Sequence, residues 1–102
     1  MTYRVFHTQR VIAEIASRIQ SLRDDRVDQR TIAAWFTDLF DALDDLQALP
    51  GRFPIDEPES KRRGREVRKM SFRNYIIRYR VEQAQARVYV LSFMHGARRR
   101  ER

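Results

Sequence analysis

No cysteine occurs among the 102 residues. That excludes disulfide staples, thiolate-held zinc, iron–sulfur clusters and cysteine nucleophiles. Histidine is nearly absent too: His7 and His95 are the only two, too few for a histidine-rich metal centre. Neither a metal nor any other cofactor is expected. No apolar run approaches the roughly 18 residues that a membrane-spanning helix needs. Residues 1–10 lack the apolar core of a secretion signal. The expectation is a cytoplasmic protein without membrane contact. Glycine and proline number three each, and all but Gly96 fall within residues 50–64. One extended loop is expected there, and unbroken elements elsewhere.

What the chain has in quantity is arginine. Lysine and arginine total 21 against 14 aspartates and glutamates, a net charge of +7, and only Lys61 and Lys69 are lysines. The charge is uneven. Residues 1–50 carry 6 basic and 8 acidic side chains, while residues 51–102 carry 15 and 6. The planar fork of arginine suits carboxylates and phosphates, so the second half is expected to meet an anionic partner. With 42% hydrophobic residues, the chain can fill one modest core. A single domain over 1–102 is expected, ending in the basic tail 97–102.

Residues 3–8 alternate and are rich in β-formers, which predicts a short strand. From Gln9 the period changes to that of a helix, with Val11, Ile12, Ile15, Ala16, Ile19 and Leu22 as its apolar positions. Thr8 is placed to cap it, and it should end near Arg23. Asp28 predicts the start of a second helix. Its stripe runs from Ile32 through Trp35, Phe36, Leu39, Phe40 and Leu43 to Leu46, and it should stop at Leu49, before Pro50-Gly51. The basic cluster Lys61-Arg62-Arg63 closes the loop. Three strands follow, over 65–72, 75–81 and 87–95, with turns at Arg73-Asn74 and Gln83-Ala84-Gln85. Tyr75, Ile77, Tyr79 and Val81 should share one face, and Ile76, Arg78 and Arg80 the other. The tyrosines Tyr75, Tyr79 and Tyr89 are expected in the core. The class is α+β in the order β-α-α-β-β-β, a helical hairpin packed on one face of an antiparallel sheet.

That order at this length resembles the RelE/ParE toxins of bacterial type II toxin–antitoxin systems. Three stretches carry the likeness. One is Tyr3-Arg4-Val5 leading straight into a helix. Another is Gly64-Arg65-Glu66-Val67-Arg68 followed by Tyr75-Ile76-Ile77-Arg78-Tyr79-Arg80-Val81. The third is Val88-Tyr89-Val90-Leu91 leading to His95-Gly96-Ala97-Arg98-Arg99. The resemblance implies a cytoplasmic toxin of the plasmid-stabilisation kind, neutralised by a cognate antitoxin. ParE-like members arrest growth by inhibiting DNA gyrase; RelE-like members cut mRNA on the ribosome without a metal. The chain looks closer to the ParE-like side, because Ile76 stands where RelE-like ribonucleases usually carry an arginine.

Metal-free RNA cleavage needs a base for the 2′-hydroxyl, cations for the phosphate and an acid for the leaving oxygen. On the ribonuclease reading those parts fall to His95, Arg68 and Arg78, His95 having an ordinary pKa near neutrality. His7 is read as structural. For the antitoxin or the target, the expected contacts are Arg65, Arg80, Leu91, Phe93, Arg98, Arg99 and Arg100. Leu22, Leu43 and Leu46 are expected as apolar anchors where the helical stripe is wide. An extended antitoxin segment could add to a sheet edge through backbone hydrogen bonds.

Overall fold

The structure is a computed structural model, and it describes residues 2–96. Strand β1 (Arg4–His7) leads through Thr8 into α1 (Gln9–Asp24). Thr8 makes that corner with one side chain. Its Oγ1 accepts the Val11 N–H at 3.3 Å, satisfying an orphan donor of the first turn, and donates to the Val90 carbonyl at 2.8 Å. Asp28 caps α2 (Gln29–Asp44) by accepting the Arg30 N–H at 2.7 Å. The two helices form the expected hairpin.

Helix α2 ends at Asp44 rather than Leu49. It tightens into a 3₁₀ turn, Asp45–Gln47, and a second such turn runs over Pro50–Arg52. The segment expected as one loop also holds a helix, α3 (Glu57–Arg63). Asp56 caps it by accepting the Glu59 N–H at 3.2 Å. Pro58 lies in its first turn, and Gly64 ends it at φ 71°, where a side chain would be strained. Glu59 draws in Arg62 and Arg63, at 2.6 and 2.7 Å, so the basic cluster is partly spent inside its own helix. Ahead of α3, residues 54–56 run along the edge of β2 (Arg68–Phe72). Lys69 N–H donates to the Pro54 carbonyl at 3.0 Å, and Asp56 N–H to the Val67 carbonyl at 2.8 Å. This edge pairing takes up residues before β2, which therefore begins at Arg68, not Arg65.

β2 turns through Arg73-Asn74 into β3 (Tyr75–Glu82), and β3 returns as β4 (Arg87–His95). The positive φ falls on Arg73 and, in the second turn, on Ala86. The order across the sheet is β1-β4-β3-β2. β2, β3 and β4 are antiparallel as expected, but β1 lies parallel to β4, with Phe6 beside Tyr89. The sheet is thus mixed, because the helical hairpin carries the chain back before the meander begins. Opposite Arg78 and Tyr79 stand Ser92 and Val90, so Leu91 is the extra residue of a bulge.

One sheet face and the two long helices share the core. Val11, Leu39, Leu46, Ile77, Tyr79, Val88 and Val90 are fully buried. Trp35 is its hub, its ring edge-on to Phe72, Tyr75 and Phe93 at 6.1, 6.0 and 5.9 Å. Leu43 and Leu46 are 1% and 0% exposed, so they are core and not surface anchors. Leu22 packs against the core half-covered. Phe36, expected inside, is 41% exposed and leans on Phe40 at 4.6 Å. His7 packs edge-on to Phe40 at 5.3 Å. Tyr75 and Tyr79 fill the core, but Tyr89 does not: alternation with the buried Val88 and Val90 puts it on the opposite face, away from α1 and α2, with Phe6 and Arg80.

Candidate functional site

On that face, β1 and β4 bring two aromatic rings together. Phe6 and Tyr89 stack at 5.5 Å between centroids, 22° from parallel. Three guanidinium groups lie over them. Arg4 and Arg87 sit over Phe6 at 5.3 and 5.6 Å, and Arg80 over Tyr89 at 4.3 Å. Arg87 also donates through Nη1 to Tyr89 Oη at 3.3 Å. That hydrogen bond, first, and the neighbouring Glu82 carboxylate raise its pKa further, so the charge is permanent. The rings pack against the guanidinium groups. The planar fork of a guanidinium suits carboxylates or phosphates. Arg80 was expected here. Arg4, Arg87, Phe6 and Tyr89 were not, and the period-2 alternation of the two strands could only have suggested a shared face once β1 was known to lie beside β4.

Two other arginines from the sequence reading are engaged within the fold. Arg78 Nε donates to Asp56 Oδ2 at 2.6 Å, with both side chains largely buried, at 13% and 3% exposure. Burial pushes the Asp56 carboxyl up. The hydrogen bond from Arg78, the Glu59 N–H and the charges of Arg78 and Lys69 outweigh it, so the pKa lies below its ordinary value. Arg68 donates through Nη1 to the Phe53 carbonyl at 2.6 Å and pairs with Glu66 at 3.4 Å. Arg65 is exposed beyond Gly64, its backbone N–H on the Ser60 carbonyl at 3.2 Å.

His95 closes β4 beside Tyr75, edge-on to that ring at 5.2 Å. It is not gathered with Arg68 and Arg78. Arg78 alternates with Tyr75, Ile77 and Tyr79 and so belongs to the other sheet face. Arg68 pairs with Tyr79, four residues along β3 from Tyr75, or roughly 13 Å at the rise of a strand. Leu91 is half-buried at the bulge. Phe93 is 5% exposed and stacks on Tyr75 at 4.4 Å. Arg98, Arg99 and Arg100 lie outside the described residues.

Between α1 and the end of β4 opens a cleft of about 810 Å³. Arg10, Glu14 and Arg18 line it from the helix, and Phe93, Met94 and His95 from the strand. Among the described residues, no group of His, Asp and Glu is placed to hold a metal ion, and no helix is long and apolar enough to cross a membrane.

A two-helix hairpin on one face of a four-stranded sheet, with arginines on the face opposite, defines a small basic α+β protein. Residues 3–100 match the family model of the ParE toxin of type II toxin-antitoxin systems, parDE. The chain belongs to the ParE toxin family, as the resemblance implied, and that family carries with it an antitoxin partner. No curated protein sequence matches the chain.

Proposed function

We propose that this toxin arrests growth in the cytoplasm by binding DNA gyrase without covalent chemistry, and that its cognate antitoxin neutralises it by covering the arginines. One observation favours gyrase over mRNA: His95, Arg68 and Arg78, the residues the ribonuclease reading calls on, are dispersed. His95 and Arg78 sit on opposite faces of the sheet, and Arg68 and Arg78 are committed to Phe53 and Asp56. A base and two phosphate-binding cations must converge on one reacting phosphate, and these do not. The cluster of Arg4, Arg80 and Arg87 supports a binding role instead. Its cations are held in place by Phe6 and Tyr89, ready to meet an anionic surface without further ordering.

Purified toxin should inhibit gyrase supercoiling in vitro, and His95→Ala should inhibit equally. In a translation reaction with the same preparation, mRNA should stay intact. Supercoiling that is unaffected while mRNA is cut within codons, with cutting lost in His95→Ala, would reverse the assignment in favour of a RelE-like ribosome-dependent endoribonuclease.

A further inference from the structure

Arg4 and Arg87 are direct neighbours across the β1–β4 pair, and both guanidinium groups lie over the one Phe6 ring. Like charges set opposite each other on one face of a sheet repel. Arg80, opposite Tyr89 in the register of β3 and β4, adds a third cation. Among the described residues, ion pairs engage Arg10, Arg62, Arg63, Arg68, Arg73 and Arg78 but none of these three, although Glu82 stands opposite Arg87. One carboxylate beside three guanidinium groups leaves the cluster cationic.

The three sit on neighbouring strands, so sheet geometry sets their spread. With strands about 4.8 Å apart and a rise of about 3.3 Å per residue, their Cα atoms span roughly 12 Å. Duplex DNA carries one charge per about 1.7 Å of its axis, so a patch this wide faces several phosphates. A protein partner draws most of its affinity from apolar anchors packed at the centre of the contact. The exposed large apolar side chains among the described residues are Ile12, Phe36 and Leu49, none of them on a strand. Phe6 and Tyr89 are half-buried and already carry the arginines. This face therefore offers charge without an apolar anchor, which suits a polyanion better than a protein surface.

We infer that the face formed by Arg4, Arg80 and Arg87 over Phe6 and Tyr89 binds the phosphodiester backbone of duplex DNA without reading its sequence. The three cations replace counterions on neighbouring phosphates, and a bound phosphate relieves the repulsion between Arg4 and Arg87. The inference deepens the gyrase reading and rests on it for its purpose: the toxin holds the DNA that gyrase handles as well as the enzyme. The binding itself is measurable without gyrase.

The test uses the full chain and a fluorescently labelled DNA duplex, with binding read by anisotropy over a series of salt concentrations. Wild-type affinity should fall with salt and be alike for duplexes of unrelated sequence. Arg80→Ala combined with Arg87→Ala should weaken binding by at least about tenfold and lower the slope of log affinity against log salt by about 1.8, two phosphate contacts being lost. Replacing both by lysine keeps the charges and should keep the slope. Arg4→Gln, at an exposed position of β1, should lower the slope by about 0.9, which tests the site even if the double alanine variant fails to fold. Arg30→Ala removes a charge from the exposed start of α2 and should change affinity by less than about twofold. Wild-type slope and affinity in the folded Arg4 and double alanine variants overturn the site. If the wild type still inhibits supercoiling, the gyrase reading survives that result. DNA binding as expected without inhibition of supercoiling overturns the gyrase reading and leaves the DNA site standing. A glutamate homopolymer that displaces the duplex at equal charge, or an RNA duplex that binds more tightly, assigns the face to an acidic protein or to RNA and overturns the inference.

Discussion

Arg78 and Asp56 meet at 2.6 Å across the edge of the sheet, tying strand β3 to the residue that caps α3. The Asp56 carboxylate therefore serves two donors at once, the Arg78 guanidinium and the Glu59 N–H. Its loss should be felt twice. Asp56→Ala should destabilise the fold by about 3–5 kcal/mol, mostly because a largely buried guanidinium is left unpaired. Asp56→Asn, which can still cap, should cost less. Combining Asp56→Asn with Arg78→Met should recover part of the loss, since neither buried charge then remains. Urea unfolding of the three variants measures each step.

The same carboxylate makes stability acid-sensitive. Its folded pKa lies below the ordinary 3.8. Above 3.8 the carboxylate is charged in both states and its native contacts contribute fully. As pH falls below 3.8 the unfolded chain takes the proton first, and the contribution drains away until the folded group protonates too. The slope of unfolding free energy against pH below 4 should flatten in Asp56→Asn, as read from urea midpoints across that range.

Tyr79 titrates at the other extreme. Its hydroxyl donates to the Pro50 carbonyl at 2.5 Å inside the core, and burial pushes its pKa up to about 12. A raised folded value means that the neutral form belongs to the native state. Stability from this group is complete below its ordinary 10.0 and is lost as pH climbs toward 12. In an ultraviolet titration Tyr79 should ionise with a lag, at about 12. Tyr79→Phe should abolish the lag and cost about 1–2 kcal/mol, because the Pro50 carbonyl loses its donor.

The arginines over Phe6 and Tyr89 should behave in the opposite way, mattering to partners more than to the fold. Arg80→Ala and Arg87→Ala should each change unfolding free energy by no more than about 1 kcal/mol. Together they should weaken binding to an anionic partner, and binding by the wild type should fall as salt is raised. Calorimetric titration at two ionic strengths distinguishes this from a structural defect.

Gly64 ends α3 at φ 71°, and a Cβ there would meet no atom within 4 Å. Gly64→Ala should cost about 1 kcal/mol through backbone strain alone. Because the strain is local, exchange protection should drop in α3 before it drops in β3 or β4.

Local patterns were enough to place several elements. Strand β4 at 87–95, the Asp28 cap and the core face of β3 follow from alternation and capping chemistry, which act between near neighbours. Helix α3 was also written locally, in Asp56-Glu57-Pro58-Glu59, the basic last turn and Gly64. The density of proline and glycine around it suggests a loop instead, although Pro58 and Gly64 are the start and stop residues of a short helix.

The sequence by itself determined the α+β class, the helical hairpin, the antiparallel meander and the excess of arginine in the second half. Each is set by composition or by short-range periodicity. Only the tertiary structure decided where that charge goes. The parallel register of β1 on β4 placed Phe6 against Tyr89 under three arginines, and the fold turned Arg68 and Arg78 toward Phe53 and Asp56. It also buried Leu43 and Leu46, and set the last residues of β4 against α1. These are contacts between residues distant in the chain. They depend on which strand edges and helix faces meet, and no local pattern encodes that choice.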